Sequence, residues 1–153
     1  MSQEIAIRTA SPADVEIIAT FNSAMALETE HKHLDPATIS AGVARFVADP
    51  RLGFYLVAEC DGEIAGCLGI TYEWSDWRNG LFWWIQSVYV SPSHRRHGVF
   101  SRLYAHVGEL AAAEPDVCGI RLYVEKDNMR AMDTYRALGM TETDYRLFET
   151  LLH

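Results

Sequence analysis

Residues 53–90 constrain the fold more than any other stretch of the chain. Gly53–Cys60 (GFYLVAEC), Glu63–Trp74 (EIAGCLGITYEW) and Leu81–Val90 (LFWWIQSVYV) are three consecutive runs rich in β-branched and aromatic residues. Asp61-Gly62 separates the first two and supplies the residues that tolerate positive φ in a type I′ hairpin, a turn that pairs Cys60 with Glu63. The polar stretch 75–80 (SDWRNG) turns the second run into the third. Three strands joined this closely are antiparallel neighbours. The third is apolar on both faces for much of its length, which marks a central strand.

Around this meander the period becomes helical. Glu4–Thr9 alternates as a half-buried strand, and Ser11-Pro12-Ala13-Asp14 then reads as a helix start, with Ser11 as N-cap. Val15, Ile18, Phe21 and Met25 carry that helix to about Thr29, and Asp35-Pro36 opens a second that ends at Asp49-Pro50. A third helix is expected from about Val99 to Ala113, then a strand from Val117 to Glu125. A fourth helix, capped by Asp127, should run to Leu138, with Gly139 in the left-handed position that follows a helix. Met140–Leu152 alternates like a last strand. The expectation is a single α+β domain over residues 1–153, with helices flanking a mixed, mostly antiparallel sheet.

Charge narrows the function. With 13 basic and 21 acidic residues the chain carries −8, so it repels phosphate backbones and no nucleic-acid partner is expected. The longest apolar run, Leu81–Ile85, is far too short to cross a membrane, and no membrane partner is expected either. Three cysteines, Cys60, Cys67 and Cys118, lie within apolar stretches and read as buried free thiols, which points to a reducing, cytoplasmic setting. His31 and His33 lack further spaced ligands, so no metal is expected.

Against this acidic background, Arg95-Arg96-His97-Gly98 stands out. It lies between a strand and a helix start, where exposed backbone N–H groups and about half a positive charge favour an anion. Gly98 would let a phosphate approach the backbone.

Val88-Tyr89-Val90 followed by Arg95-Arg96-His97-Gly98-Val99-Phe100 resembles the central motif of the GCN5-related N-acetyltransferase (GNAT) family. The family's motif has Gly or Ala where Phe100 stands. A second element, GIRLYVEKDNMRAMDTYRALGM, is similar to the family's later strand and helix through Asn128, Ala131, Tyr135, Gly139 and Met140. The opening IRTASPADVEII also matches, so the resemblance spans nearly the whole chain in order.

The resemblance implies a three-layer fold whose fourth and fifth strands splay apart to admit acetyl-CoA as co-substrate. It implies that the backbone of Val88, Tyr89 and Val90 pairs with the pantetheine arm. N–H groups from Arg96 through His97, Gly98, Val99 and Phe100 to Ser101 would hold the pyrophosphate, with Arg95 adding charge. Phe100 would then point into the core and offer its N–H alone. Asn128 would support the cofactor arm, and Tyr135 would protonate the departing thiolate. The acceptor would be a primary amine of a small molecule, attacking the thioester directly in a ternary complex.

On the acceptor side, Glu28, Glu73, Asp76, Trp84 and Gln86 are the candidate contacts, three of them carboxylates suited to a cation. The segment 71–90 looks distantly like the polyamine and thialysine branch of the family, but Gln86 and Ser87 stand where that branch carries acids. A non-catalytic acyl-CoA-binding module and a peptide acetyltransferase are the alternatives, and a homodimer is compatible with either.

Overall fold

The computed structural model describes residues 4–153. The chain divides into two compact units, Met1–Leu122 and Tyr123–His153. In the first, the elements are β1 (Ile5–Thr9), a 3-10 turn (Pro12–Asp14), α1 (Val15–Glu30), α2 (Pro36–Ala48), β2 (Gly53–Cys60), β3 (Glu63–Ser75), β4 (Gly80–Val90), a second 3-10 turn (Pro92–His94), α3 (Val99–Ala112) and β5 (Val117–Arg121). The second unit holds α4 (Met129–Ala137).

The five strands form one sheet in sequence order, with β1 to β4 antiparallel and β5 parallel to β4. The hairpin turn has positive φ at both Asp61 (52°) and Gly62 (81°) and pairs Cys60 with Glu63, as its sequence requires. Apolar side chains bury on both faces. On one face Leu56, Leu68, Ile70, Trp83 and Ile85 pack with Val99, Leu103 and Val107 of α3. On the other, Tyr55, Val57, Cys67 and Tyr89 pack with Ile18 and Phe21 of α1 and Val43 of α2. The layers are therefore helix, sheet, helix. Gly66 permits the close fit: a Cβ there would lie 2.7 Å from the Tyr89 carbonyl oxygen and 3.2 Å from Val99.

Four expectations are corrected. The strand after α3 stops at Arg121 rather than Glu125. The cap of α4 is Asn128, not Asp127, because its side-chain oxygen is the one that accepts from the Ala131 N–H (3.2 Å). Residues 140–153 form neither helix nor strand, despite their alternation. The cysteines divide as well: Cys60 and Cys67 are buried, whereas Cys118 is exposed on the edge strand β5. No helix among the described residues is long and apolar enough to cross a membrane.

Asp14 ties the first helix to the sheet. Its carboxylate accepts from both terminal nitrogens of Arg8 (2.7 and 2.9 Å) and from the Ser11 N–H (2.8 Å), while Arg8 Nε donates to Glu59 (2.6 Å). The Arg8 bonds hold the Asp14 carboxyl below the usual range, so its contribution is present at neutral pH and is lost as pH falls through that lowered value. Arg8 is part-exposed, which screens the pair. Asp14→Asn should therefore cost about 1–2 kcal/mol, or roughly 3–6 °C in Tm, at pH 7. Calorimetric melts should show the gap from wild type closing below about pH 4.

Candidate active site

β4 and β5 stay paired only from Leu81–Val117 to Trp84–Arg121. Beyond Trp84, β4 runs on to Val90 with β3 as its one strand neighbour in the sheet. Its other edge offers backbone groups where an extended ligand can lie as an added strand.

A bulge re-aims that edge. Gly69 pairs with Gln86 and Cys67 with Tyr89, so Ser87 and Val88 together oppose Leu68. Ser87 takes φ 52°, a left-handed conformation that a non-glycine residue adopts only when its surroundings hold it there. Beneath it, Asn22 Nδ2 donates to the Tyr55 hydroxyl (3.2 Å), and the Ser87 side chain hydrogen-bonds that same hydroxyl. The Cys67 thiol contacts the Ser87 carbonyl (3.6 Å). Burial pushes the Cys67 thiol up to about 12, so it is neither base nor nucleophile at neutral pH.

At the end of β4 the chain enters the Arg-Arg-His-Gly loop. His94 is buried and anchors it, with Nδ1 2.7 Å from Ser91 Oγ and 3.1 Å from Ser93 Oγ. Arg96 (φ 66°) and Gly98 (φ 81°) both take left-handed conformations, and Gly98 caps α3. The first intrahelical bond runs from the Arg102 N–H to the Gly98 carbonyl (3.0 Å), so the N–H groups ahead of it point out of the helix end. A Cβ at Gly98 would meet nothing within 4 Å, which leaves open space over that end. Arg96, His97, Gly98 and Ser101 are exposed and Val99 is buried. The Phe100 side chain packs partly into the α3 face of the core, 6.2 Å from the Tyr104 ring.

Arg95 has another engagement. Its Nε donates to the Val90 carbonyl (2.9 Å), its Nη2 meets Glu28 Oε2 (2.9 Å), and its guanidinium lies 5.3 Å from the centre of the Tyr89 ring. Tyr89 donates to the other Glu28 oxygen (3.2 Å), and burial and that carboxylate push its phenol up. Glu28 at the end of α1 is thus clasped to the loop, a pairing that no spacing in the sequence announces.

The other acceptor-side candidates lie elsewhere. Glu73 sits opposite Phe82 and pairs with Arg121 (2.8 Å). Asp76 lies exposed in the turn after β3. Tyr89 and Phe82 are seven residues apart on β4, so Glu28 and Glu73 stand roughly 23 Å apart along the strand. The expected carboxylates do not form one cluster. Gln86 Nε2 donates to Thr71 Oγ1 (3.3 Å), and Trp84 is part-buried opposite Thr71. Of the neighbouring tryptophans, Trp83 is buried, while Trp74 and Trp77 are exposed.

In the second unit, Asn128 caps α4 and Tyr135 lies seven residues on, two turns along and close to the same face. Burial raises the Tyr135 hydroxyl, which is therefore protonated at neutral pH and able to donate.

Residues 17–140 match the model of the acetyltransferase (GNAT) family. A possible acetyltransferase from Clostridium difficile 630 is 42% identical, superposes with TM-score 0.92, and is matched over 97% of this chain and 98% of its own. A predicted acetyltransferase from Clostridium acetobutylicum, solved with acetyl-CoA, shares the fold at 18% identity and TM-score 0.79, over 97% of each chain. The bovine thialysine N-epsilon-acetyltransferase is 35% identical over 68 residues, 44% of this chain and 39% of its own length. With an open β4 edge leading into a glycine-capped helix, and a family match over most of its length, the chain belongs to the GNAT acetyltransferase family.

Proposed function

We propose that the protein transfers the acetyl group of acetyl-CoA to the primary amine of a small, cationic acceptor in the cytoplasm, by direct attack in a ternary complex. The observation that carries the reading is that β5 ends at Arg121, opposite Trp84, while β4 runs on to Val90, which leaves its remaining edge outside the β5 ladder and leading into the Gly98 cap of α3. Acetyl-CoA brings an activated thioester, and the chain's residues bind and orient it. The edge around Val88 fits the amides of a pantetheine arm. Backbone N–H groups from Arg96 to Ser101 fit a pyrophosphate, and the open space over Gly98 admits it. Because Arg95 is held by Glu28, this anion site relies on main-chain donors and the helix dipole. Asn128 would steady the cofactor arm, and Tyr135, protonated at neutral pH, would supply the proton to the departing thiolate.

The acceptor side is reached from chemistry. The carboxylates Glu28 and Glu73 are ion-paired and the Cys67 thiol stays protonated, so no dedicated strong base stands at the Ser87 bulge among the described residues. Deprotonation of the amine then runs through water. The net charge of −8 favours a cationic acceptor at long range.

Three experiments test this reading. Gly98→Glu puts a charge among the phosphate donors and a side chain on a left-handed backbone; titration calorimetry should show acetyl-CoA affinity lost, and a folded variant that binds like wild type rejects the cofactor site. Tyr135→Phe should lower kcat by about 10²-fold while acetyl-CoA affinity is kept; full kcat with a lowered Tm would make Tyr135 a packing residue. At acceptor concentrations below KM, kcat/KM should climb with pH towards the pKa of the free amine. Cationic acceptors should lose their advantage as salt is added. A flat profile from pH 6 to 9 would require an internal base and overturn the water route.

A further inference from the structure

Tyr55 reaches a strand with which it is not paired. It stands on β2 opposite Gly69 of β3, and Gly69 stands opposite Gln86 of β4. A Cβ at Gly69 would lie 3.1 and 3.3 Å from two atoms of the Tyr55 ring and 3.4 Å from the Gln86 carbonyl oxygen. The ring therefore lies across β3 over a position without a side chain, and its hydroxyl arrives at Ser87. Phe46 of α2 packs on the same ring, with centres 4.9 Å apart.

The hydroxyl is itself held from behind. Asn22 Nδ2 donates to the Ile18 carbonyl (3.0 Å) and to the Tyr55 hydroxyl (3.2 Å), and both Asn22 and Tyr55 are buried. An amide with both hydrogens engaged has its rotation fixed, so the phenol oxygen must accept from it. Among the described residues no buried side-chain nitrogen or oxygen lacks a partner, and a buried polar chain of this kind is costly to leave incomplete. The chain ends on Ser87, whose left-handed backbone is held only by its surroundings.

That backbone decides what lies beyond it. Ile85 and Val88 both pack on the α3 face, with two residues between them instead of one. N–H and C=O groups alternate in direction along a strand, so the extra residue also exchanges which of them face the open edge after Ser87.

We propose that Tyr55, backed by Asn22, is a positioning residue that holds Ser87 in its left-handed bulge and so sets which backbone groups of Val88–Val90 face acetyl-CoA. Both side chains act through Ser87. The proposal rests on the reading of the β4 edge as the cofactor site.

Tyr55→Phe removes one oxygen and keeps the ring. Titration calorimetry should show acetyl-CoA bound about 10-fold more weakly, the size of one lost hydrogen bond. In the free protein, amide hydrogen exchange at residues 86–90 should speed up more than in α3, whose exchange reports any loss of overall stability. Glycine takes a left-handed conformation unaided, so Ser87→Gly is the discriminating background. There Tyr55→Phe should still lower Tm but change acetyl-CoA affinity by less than about 2-fold. Tyr55→Phe combined with Asn22→Leu leaves no buried amide unpaired and should reproduce the loss of affinity seen with Tyr55→Phe alone. Three results would overturn the proposal: wild-type affinity and exchange in Tyr55→Phe, an equal loss of affinity in both backgrounds, or Ser87→Gly alone abolishing binding. Wild type that fails to bind acetyl-CoA would instead reject the cofactor site, and exchange in the free protein would still decide whether Tyr55 holds the bulge.

Discussion

Beyond Trp84, β4 keeps its pairing to β3 while β5 has come to its end at Arg121, and the rest of the candidate site depends on that unequal length. A central strand ordinarily satisfies both of its edges. Leaving one open is affordable only where another backbone, or a ligand that imitates one, can lie alongside. The Ser87 bulge lies within the opened segment and reverses the alternation of side chains. Trp83 and Ile85 face α3, and without the extra residue Tyr89 would follow them. With it, Tyr89 turns to the α1 and α2 face, where it packs 5.2 Å from Phe21 and reaches Glu28.

Electrostatics at the site are arranged in pairs. A chain with this excess of acid would repel a polyphosphate unless its nearby carboxylates were neutralised. Glu28 is held by Arg95 and Glu73 by Arg121, one at each end of β4. What faces the space above α3 is then the helix end itself, with its aligned peptide dipoles and the exposed Arg96 and His97 beside it. The arginine that looks most suited to a phosphate from its place in the sequence is the one that orders the loop.

The sequence made the elements legible because their signals are local. The Asp61-Gly62 turn, the proline after Asp35 and the glycine before α3 each specify a boundary within two or three residues. The Arg95–Gly98 loop was readable as a candidate anion site for the same reason, since the chemistry expected of it is that of consecutive backbone groups. The parts that escaped are products of tertiary contact. Asn22 and Tyr55 are 33 positions apart and meet only through the packing of α1 on the sheet. The clasp between Glu28 and Arg95 spans 67 positions. The left-handed Ser87 has no local signal at all, because a glycine or asparagine would have been the residue to expect there. The alternation of the final residues was read correctly as a pattern and wrongly as an element of this sheet, for a strand needs a partner edge as well as a sequence.

Gly66 carries a consequence for how such a chain can change. Its hydrogen occupies the place where the Tyr89 carbonyl and Val99 approach from two sides, one on the strand that opens and the other in the first turn of the helix below it. Any side chain at position 66 would push the bulged strand and α3 apart together. Gly42 and Gly108, whose added Cβ would touch nothing within 4 Å, are free to drift. Substitutions can accumulate on the acceptor side, remodelling which amine is taken, while the spacing between β4 and α3 stays pinned by a residue that performs no chemistry. Divergence in a scaffold of this kind is therefore steered by sterics towards new specificities and away from new cofactors.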